Sequence, residues 1–248
     1  MQANEIVPMS LSDTTGKPKQ VASRWHFLGF LVIMAGTAAL GFRAQHASAT
    51  APSGQLAEHG KALYVYLAAG LMDWALLYYC WIGVHRAGGN LRTLSGGRWT
   101  SWQDLAADVA IAAPFWVAWE ATANLVHRIL GPSTAKSVGD LLPRTLLEIL
   151  LWIAVSITAG ICEEIAFRGY LQRQLHAMTG SLVVAVIAQA FVFGVAHAYQ
   201  GWKQVIVITV LGLLYGVLAA WRRNLRANMI AHAWSDIWGG WLSMVIWR

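Results

Sequence analysis

Seven apolar stretches, each about 18 residues or longer, constrain this chain more than any other feature. They cover 25–42, 62–84, 104–127, 141 to about 178, 182–199, 203–221 and about 227–247. Runs of that length cross a hydrocarbon core as helices, because a helix satisfies its own backbone hydrogen bonds where no water is present. The chain has 248 residues, 57% of them hydrophobic and only 12% charged, with a mean hydropathy of +0.48. A soluble domain carries about twice that charged fraction. The 14 Trp suit the water–lipid interface, where indoles concentrate. The expected fold is therefore all-α and polytopic, with seven transmembrane helices, or eight if a short re-entrant segment is present.

Residues 1–24 read as a polar N-terminal tail, residues 25–139 as an N-terminal set of transmembrane helices, and residues 140–248 as a second set. Lys17, Lys19 and Arg24 before the first run, and Ala47-Ser48-Ala49 after it, partly imitate a signal peptide. The run is long for such a segment and six more follow, so a retained anchor is expected. Pro114 marks a kink in the third run, and Thr179-Gly180-Ser181 is a turn signal between the fourth and fifth. No repeat of 20–50 residues is visible.

The net charge of +6 follows membrane topology. With the N-terminus inside, the inner loops hold Lys17, Lys19, Arg24, Arg86, Arg92, Arg98, Arg168, Arg173, Arg222, Arg223 and Arg226. The outer side holds Arg43, Lys61, Arg128, Lys136, Arg144, Lys203 and Arg248, a bias of 11 to 7 for that orientation. No basic tract with interleaved aromatics points to nucleic acid. Cys80 and Cys162 both fall in apolar runs and read as buried thiols, and no CxxC spacing is present.

Ionisable groups inside spans cost about 2.5–3.5 kcal/mol or more each, which makes them functional candidates. They concentrate in the C-terminal half: Glu163, Glu164 and Arg168, then His197, then His232 and Asp236. Adjacent helical positions differ by about 100°, so Glu163 and Glu164 point apart. Glu164 and Arg168 are four apart and can pair, which leaves Glu163 the freer carboxylate. Phe193 and His197 share a face, as do His232 and Asp236. Glu163 lies 17 residues before Gly180 and His197 lies 17 after it. A hairpin about Gly180 sets the two at similar height, roughly 25 Å from the turn. Apolar surroundings make a carboxylate basic enough to take a proton from water, and an imidazole can donate to a developing oxyanion.

Glu163-Glu164-Ile165-Ala166-Phe167-Arg168 matches an EExxxR pattern, Phe193-Gly194-Val195-Ala196-His197 an FxxxH pattern, and His232-Ala233-Trp234-Ser235-Asp236 an HxxxB pattern with Asp or Asn last. In this order and spacing, about residues 140–240 resemble the CPBP family, the CAAX-protease and bacteriocin-processing (Abi) intramembrane peptidases. The resemblance implies an all-helical intramembrane endopeptidase whose cavity opens to the cytosol, with residues 140–248 as the catalytic core. It also implies roles. Glu163 is the general base on a water, helped by His197. His232 and Asp236 bind the oxyanion, Glu164 and Arg168 support the site, and Phe193 belongs to the second motif. Prenyl-protein endopeptidases of the family carry Asn where Asp236 stands. An ionised Asp repels an oxyanion, so Asp236 either carries a proton or orients His232 instead.

The resemblance is compatible with prenylated CAAX proteins, bacteriocin leaders and C-terminally anchored surface proteins as substrates. It places the chain as a multi-pass protein of a bacterial inner (plasma) membrane. Two Glu, two His and an Asp could also ligate zinc. No HExxH is present, so a metal-free glutamate mechanism is the favoured expectation and a zinc-dependent one the alternative. A third reading is a transporter or immunity-type protein whose buried charges do no hydrolysis. Cys162 reads as packing, not as a nucleophile. Gly212 and Gly216 read as close packing within the chain. His46, His59, His85, His127 and His176 read as loop or interfacial residues. Asp73 and Glu120 have no assigned role; they could pair across the bundle or line the cavity.

Overall fold

A computed structural model describes residues 18–50, 58–131 and 142–246, with side chains over 18–43, 62–131 and 142–240. Residues 1–17 of the expected tail, and the side chains of His46, His59, Lys61, Lys136 and Arg248, lie outside the described residues. Every described element is a helix. α1 is Arg24–Thr50, α2 Glu58–Arg86, α3 Leu91–Ser95 and α4 Trp102–Leu130. α5 is Leu146–Glu163; it continues as a π-helix over Glu164–Leu171 and as α6 over Gln172–Thr179. α7 is Leu182–Ala196, followed by a 3₁₀ turn at Ala198–Gln200, then α8 at Trp202–Arg222 and α9 at Arg226–Ile246.

Each of the seven expected runs contains a helix among its described residues, the fourth starting at Leu146 and not near 141. Among the described residues, five stretches are long and apolar enough to cross a membrane: Arg24–Arg43, Ala62–Arg86, Trp102–Leu130, Leu146–Thr179 and Trp202–Arg222. The fifth expected run is shorter than read. α7 has 15 residues, because the backbone leaves the helix at His197 (φ −94°, ψ 19°). Outward faces are apolar, with Leu147, Leu150 and Ile157 on α5 and Val183, Ile187 and Phe191 on α7 exposed. Long apolar helices with greasy outer faces make this an integral membrane protein.

Local chemistry sets the helix ends. Thr145 and Glu148 form a capping box at α5, with the Thr145 N–H donating to Glu148 Oε2 at 3.0 Å and the Glu148 N–H to Thr145 Oγ1 at 3.3 Å. Gly180 ends α6 with φ 71°, a conformation that glycine adopts without strain, and its N–H donates to the His176 carbonyl at 2.8 Å. Ser181 then caps α7 by accepting the Val184 N–H. These two residues make the reversal that the turn signal predicts.

Packing brings the C-terminal helices together around α5. α2 runs alongside it: the Tyr66 and Trp152 rings are 5.5 Å apart, and farther along Leu77 and Cys162 share one buried cluster. α9 crosses α5 closely at Gly160, where a Cβ would lie 2.8 Å from the Ala233 nitrogen and 2.9 Å from the Met229 carbonyl oxygen. Gly212 presses α8 on α7, where a Cβ would lie 3.1 Å from Ala190 Cα. Gly212 and Gly216 thus serve helix contacts within this chain. Asp108 of α4 is fully buried and takes Arg222 at 3.0 Å, Arg226 at 2.8 Å and the Trp99 indole N–H at 2.9 Å. It ties α4 to the α8–α9 corner. Cys80 and Cys162 are buried free thiols. An aromatic cluster of Phe27, Phe30, Phe167, Tyr170 and Phe193 joins α1 to the π-helix and α7.

Candidate active site

The motif with two glutamates sits where the helix changes pitch. Glu163 is the last residue of α5 and Glu164 opens the π-helix, all eight residues of which are buried. π-turns inside α-helices recur at functional sites because they re-aim side chains that an α-helix would send elsewhere. Here Glu164 turns inward and Glu163 stays at the edge. Arg168 Nη1 donates to Glu164 Oε1 at 2.8 Å, with both side chains fully buried.

Glu164 has two further partners. Asn228 Nδ2 donates to its Oε2 at 3.1 Å, and His232 Nδ1 lies 2.9 Å from its Oε1. A carboxylate paired with a guanidinium only accepts hydrogen bonds, so Nδ1 is the N–H of the His232 ring. Nε2 then faces the other way, 3.7 Å from Glu163 Oε2 and 3.7 Å from Asp236 Oδ2. Those distances exceed hydrogen-bond reach. Asp236 is 38% exposed at its side chain and Glu163 16%, against 0% for Glu164. The cluster therefore has a sealed inner wall and an open outer one. Glu163 Oε2 makes no hydrogen bond.

Aromatic rings hold Arg168 in place. Its guanidinium carbon lies 4.3 Å from the Phe193 ring centroid and 5.1 Å from that of Tyr215. Phe193 also meets His197 edge-on at 4.8 Å and lies 6.1 Å from the His232 ring. His197 is the first residue past α7, and its Nδ1 donates to the Phe193 carbonyl at 2.8 Å. That bond leaves Nε2 as the free nitrogen. Asp236 lies within electrostatic reach of His197. Among the described residues no hydrogen bond joins His197 to Glu163, and the imidazole paired with Glu163 at 3.7 Å is that of His232.

The fold thus gathers Glu163, Glu164, Arg168, His232 and Asp236 into one cluster, with Phe193 between Arg168 and the two histidines. Sequence reasoning missed Asn228 and Tyr215. Asn228 carried a signal, since it stands four residues before His232 on the same helix face. Tyr215 carried none; its ring lies 5.4 Å from that of His232, a contact between helices. Among the described residues, no group of three or more His, Cys, Asp or Glu is arranged to hold a metal ion.

Residues 145–238 match the family model described as type II CAAX prenyl endopeptidase Rce1-like. This stretch is similar to the CAAX-protease family. The Rce1-like segment starts at the α5 capping box and ends just past Asp236, so all three motifs lie inside it. Helices α1 to α4 lie outside the match. Comparison with curated proteins and with solved structures gives no match.

Proposed function

We propose that this protein is an intramembrane endopeptidase that cleaves a membrane-associated protein or peptide, with prenylated CAAX proteins as the first substrate class to test. The bacterial inner membrane is the proposed location. One observation carries the reading: Glu163 presents an oxygen without a hydrogen-bond partner 3.7 Å from His232 Nε2, while the opposite nitrogen of that imidazole is held by Glu164.

Glu163 takes a proton from a water as the water oxygen bonds to the scissile carbonyl carbon. The electron pair of the C=O moves to oxygen. The protonated His232 Nε2–H and a protonated Asp236 donate to that oxyanion. Asp236 in this form resolves the repulsion that an ionised carboxylate would create. His197, with Nε2 free, orients the water. When the carbonyl re-forms, the C–N bond breaks and the amine leaves with the proton that Glu163 had taken.

The test uses the full chain purified in detergent with a farnesylated CAAX peptide. Wild-type protein releases the C-terminal peptide, and Glu163→Gln is slower by roughly a thousandfold. Equal cleavage by Glu163→Gln overturns the mechanism. Trapping membrane proteins on Glu163→Gln and identifying them by mass spectrometry extends the test to substrates without a prenyl group.

A further inference from the structure

Asp73 lies on α2, in the half of the chain outside the family match. Gly70, Asp73 and Leu77 share one helix face by their spacing of three and four. Both neighbours on that face pack on α5. A Cβ on Gly70 would lie 3.7 Å from Val155 Cγ2, and Leu77 packs with Cys162. Asp73 is bracketed between them, against the turn of α5 that leads into Glu163. α9 brings Asp236 to the same stretch, since the Trp152 indole N–H donates to the Asp236 carbonyl at 2.8 Å. Within electrostatic reach of Asp73 are Cys162 and Glu163 from α5, His232 and Asp236 from α9, and Tyr199 from the turn after α7.

An aspartate that only holds helices together needs a cationic partner, and this protein shows what that looks like. Asp108 has Arg222, Arg226 and an indole N–H. Asp73 has no hydrogen bond or salt bridge among the described residues, and it lies within electrostatic reach of Glu163. Asp73 is half-buried on a membrane-spanning helix, and a carboxylate placed there without a cationic partner is costly, which favours a working role over a packing one.

We infer that Asp73 is a positioning residue of the active site, a second carboxylate from α2 that faces Glu163 across the attacking water. The inference rests on the endopeptidase reading above. No bond to Asp73 forms or breaks in the reaction. The charge of Asp73 adds to the negative potential at the attacking water. With Asp73 neutralised, the site carries one negative charge fewer, and the acid limb of the pH–rate profile moves to lower pH.

The experiment measures kcat/KM against pH for the full chain in detergent with the farnesylated CAAX peptide, for wild type, Glu163→Gln, Asp73→Asn and Asp73→Glu. Asp73→Asn is expected to shift the acid limb down by about one pH unit, and Asp73→Glu to restore the wild-type limb. Asp73→Ser removes the same charge with a smaller side chain and is read the same way if the Asn variant does not fold. An Asp73→Asn or Asp73→Ser profile that superimposes on wild type overturns this inference alone. Undiminished cleavage by Glu163→Gln, or none by wild type, overturns the endopeptidase reading and this inference with it.

Discussion

Glu164 Oε1 lies 2.8 Å from Arg168 Nη1 and 2.9 Å from His232 Nδ1. One buried oxygen thus couples the π-helix to α9, and it decides which nitrogen of His232 faces the open side of the site. The adjacent glutamates have different surroundings. Glu164 is sealed and fully hydrogen-bonded, whereas Glu163 is 16% exposed and keeps one oxygen without a hydrogen bond.

Glu164→Ala should destabilise the protein by about 3–5 kcal/mol, because it leaves the buried Arg168 guanidinium without its counter-charge. Glu163→Ala should stay within about 1 kcal/mol of wild type, since its Oε2 has no hydrogen bond to lose. Thermal unfolding in detergent measures both. Equal losses for the two variants would contradict the division of roles.

Arg168→Lys should fail as a conservative change. A lysine ammonium keeps the charge but loses the planar group that lies between Phe193 and Tyr215, at 4.3 and 5.1 Å from their centroids. The expected cost is about 2 kcal/mol in stability, with activity reduced alongside. Phe193→Leu should show part of the same loss. A Lys variant with wild-type melting temperature and activity would show that charge alone suffices.

The helices were legible in the sequence because long apolar runs admit no other backbone solution in lipid. The Glu164–Arg168 pair was legible too, since it depends on spacing along one helix. What depends on contacts between helices was not. Spacing does not reveal the π-helix at Glu164–Leu171, which rotates the following residues relative to an α-helix. His232 and Asp236 share a face by their spacing, but only the depth and rotation of α9 against α5 show that His232 is held by Glu164. The height match about Gly180 placed His197 level with Glu163. It could not show that the Nδ1–H of His197 is spent on the Phe193 carbonyl. Asp108 passed unnoticed because its arginines, Arg222 and Arg226, are more than a hundred residues away.

Cleavage should survive chelation. His232 Nδ1 is committed to Glu164, and no group of three or more His, Cys, Asp or Glu among the described residues is spaced to hold a metal ion. After dialysis against phenanthroline, the rate on the farnesylated CAAX peptide should match that of untreated protein, with less than one equivalent of zinc by elemental analysis. Loss of activity together with one tightly bound zinc, both restored by added zinc, would favour the metalloprotease reading.

Gly160→Ala should impair catalysis more than its size suggests. The added Cβ would meet the Ala233 nitrogen at 2.8 Å and the Met229 carbonyl oxygen at 2.9 Å. Both are backbone atoms that no side-chain rotation can move aside, so α9 must shift away from α5. His232 lies between those two contact points in the chain, and Glu163 lies one turn beyond Gly160. The shift therefore acts on the 3.7 Å separation between His232 Nε2 and Glu163 Oε2. Overpacking of this kind costs about 1–3 kcal/mol, and a displacement near 1 Å at reacting groups can lower the rate about a hundredfold. The measurement is kcat/KM beside melting temperature, with Gly36→Ala as the control, because a Cβ there meets nothing within 4 Å. A Gly160→Ala protein as active as that control would mean that the α5–α9 contact does not set the geometry of the site.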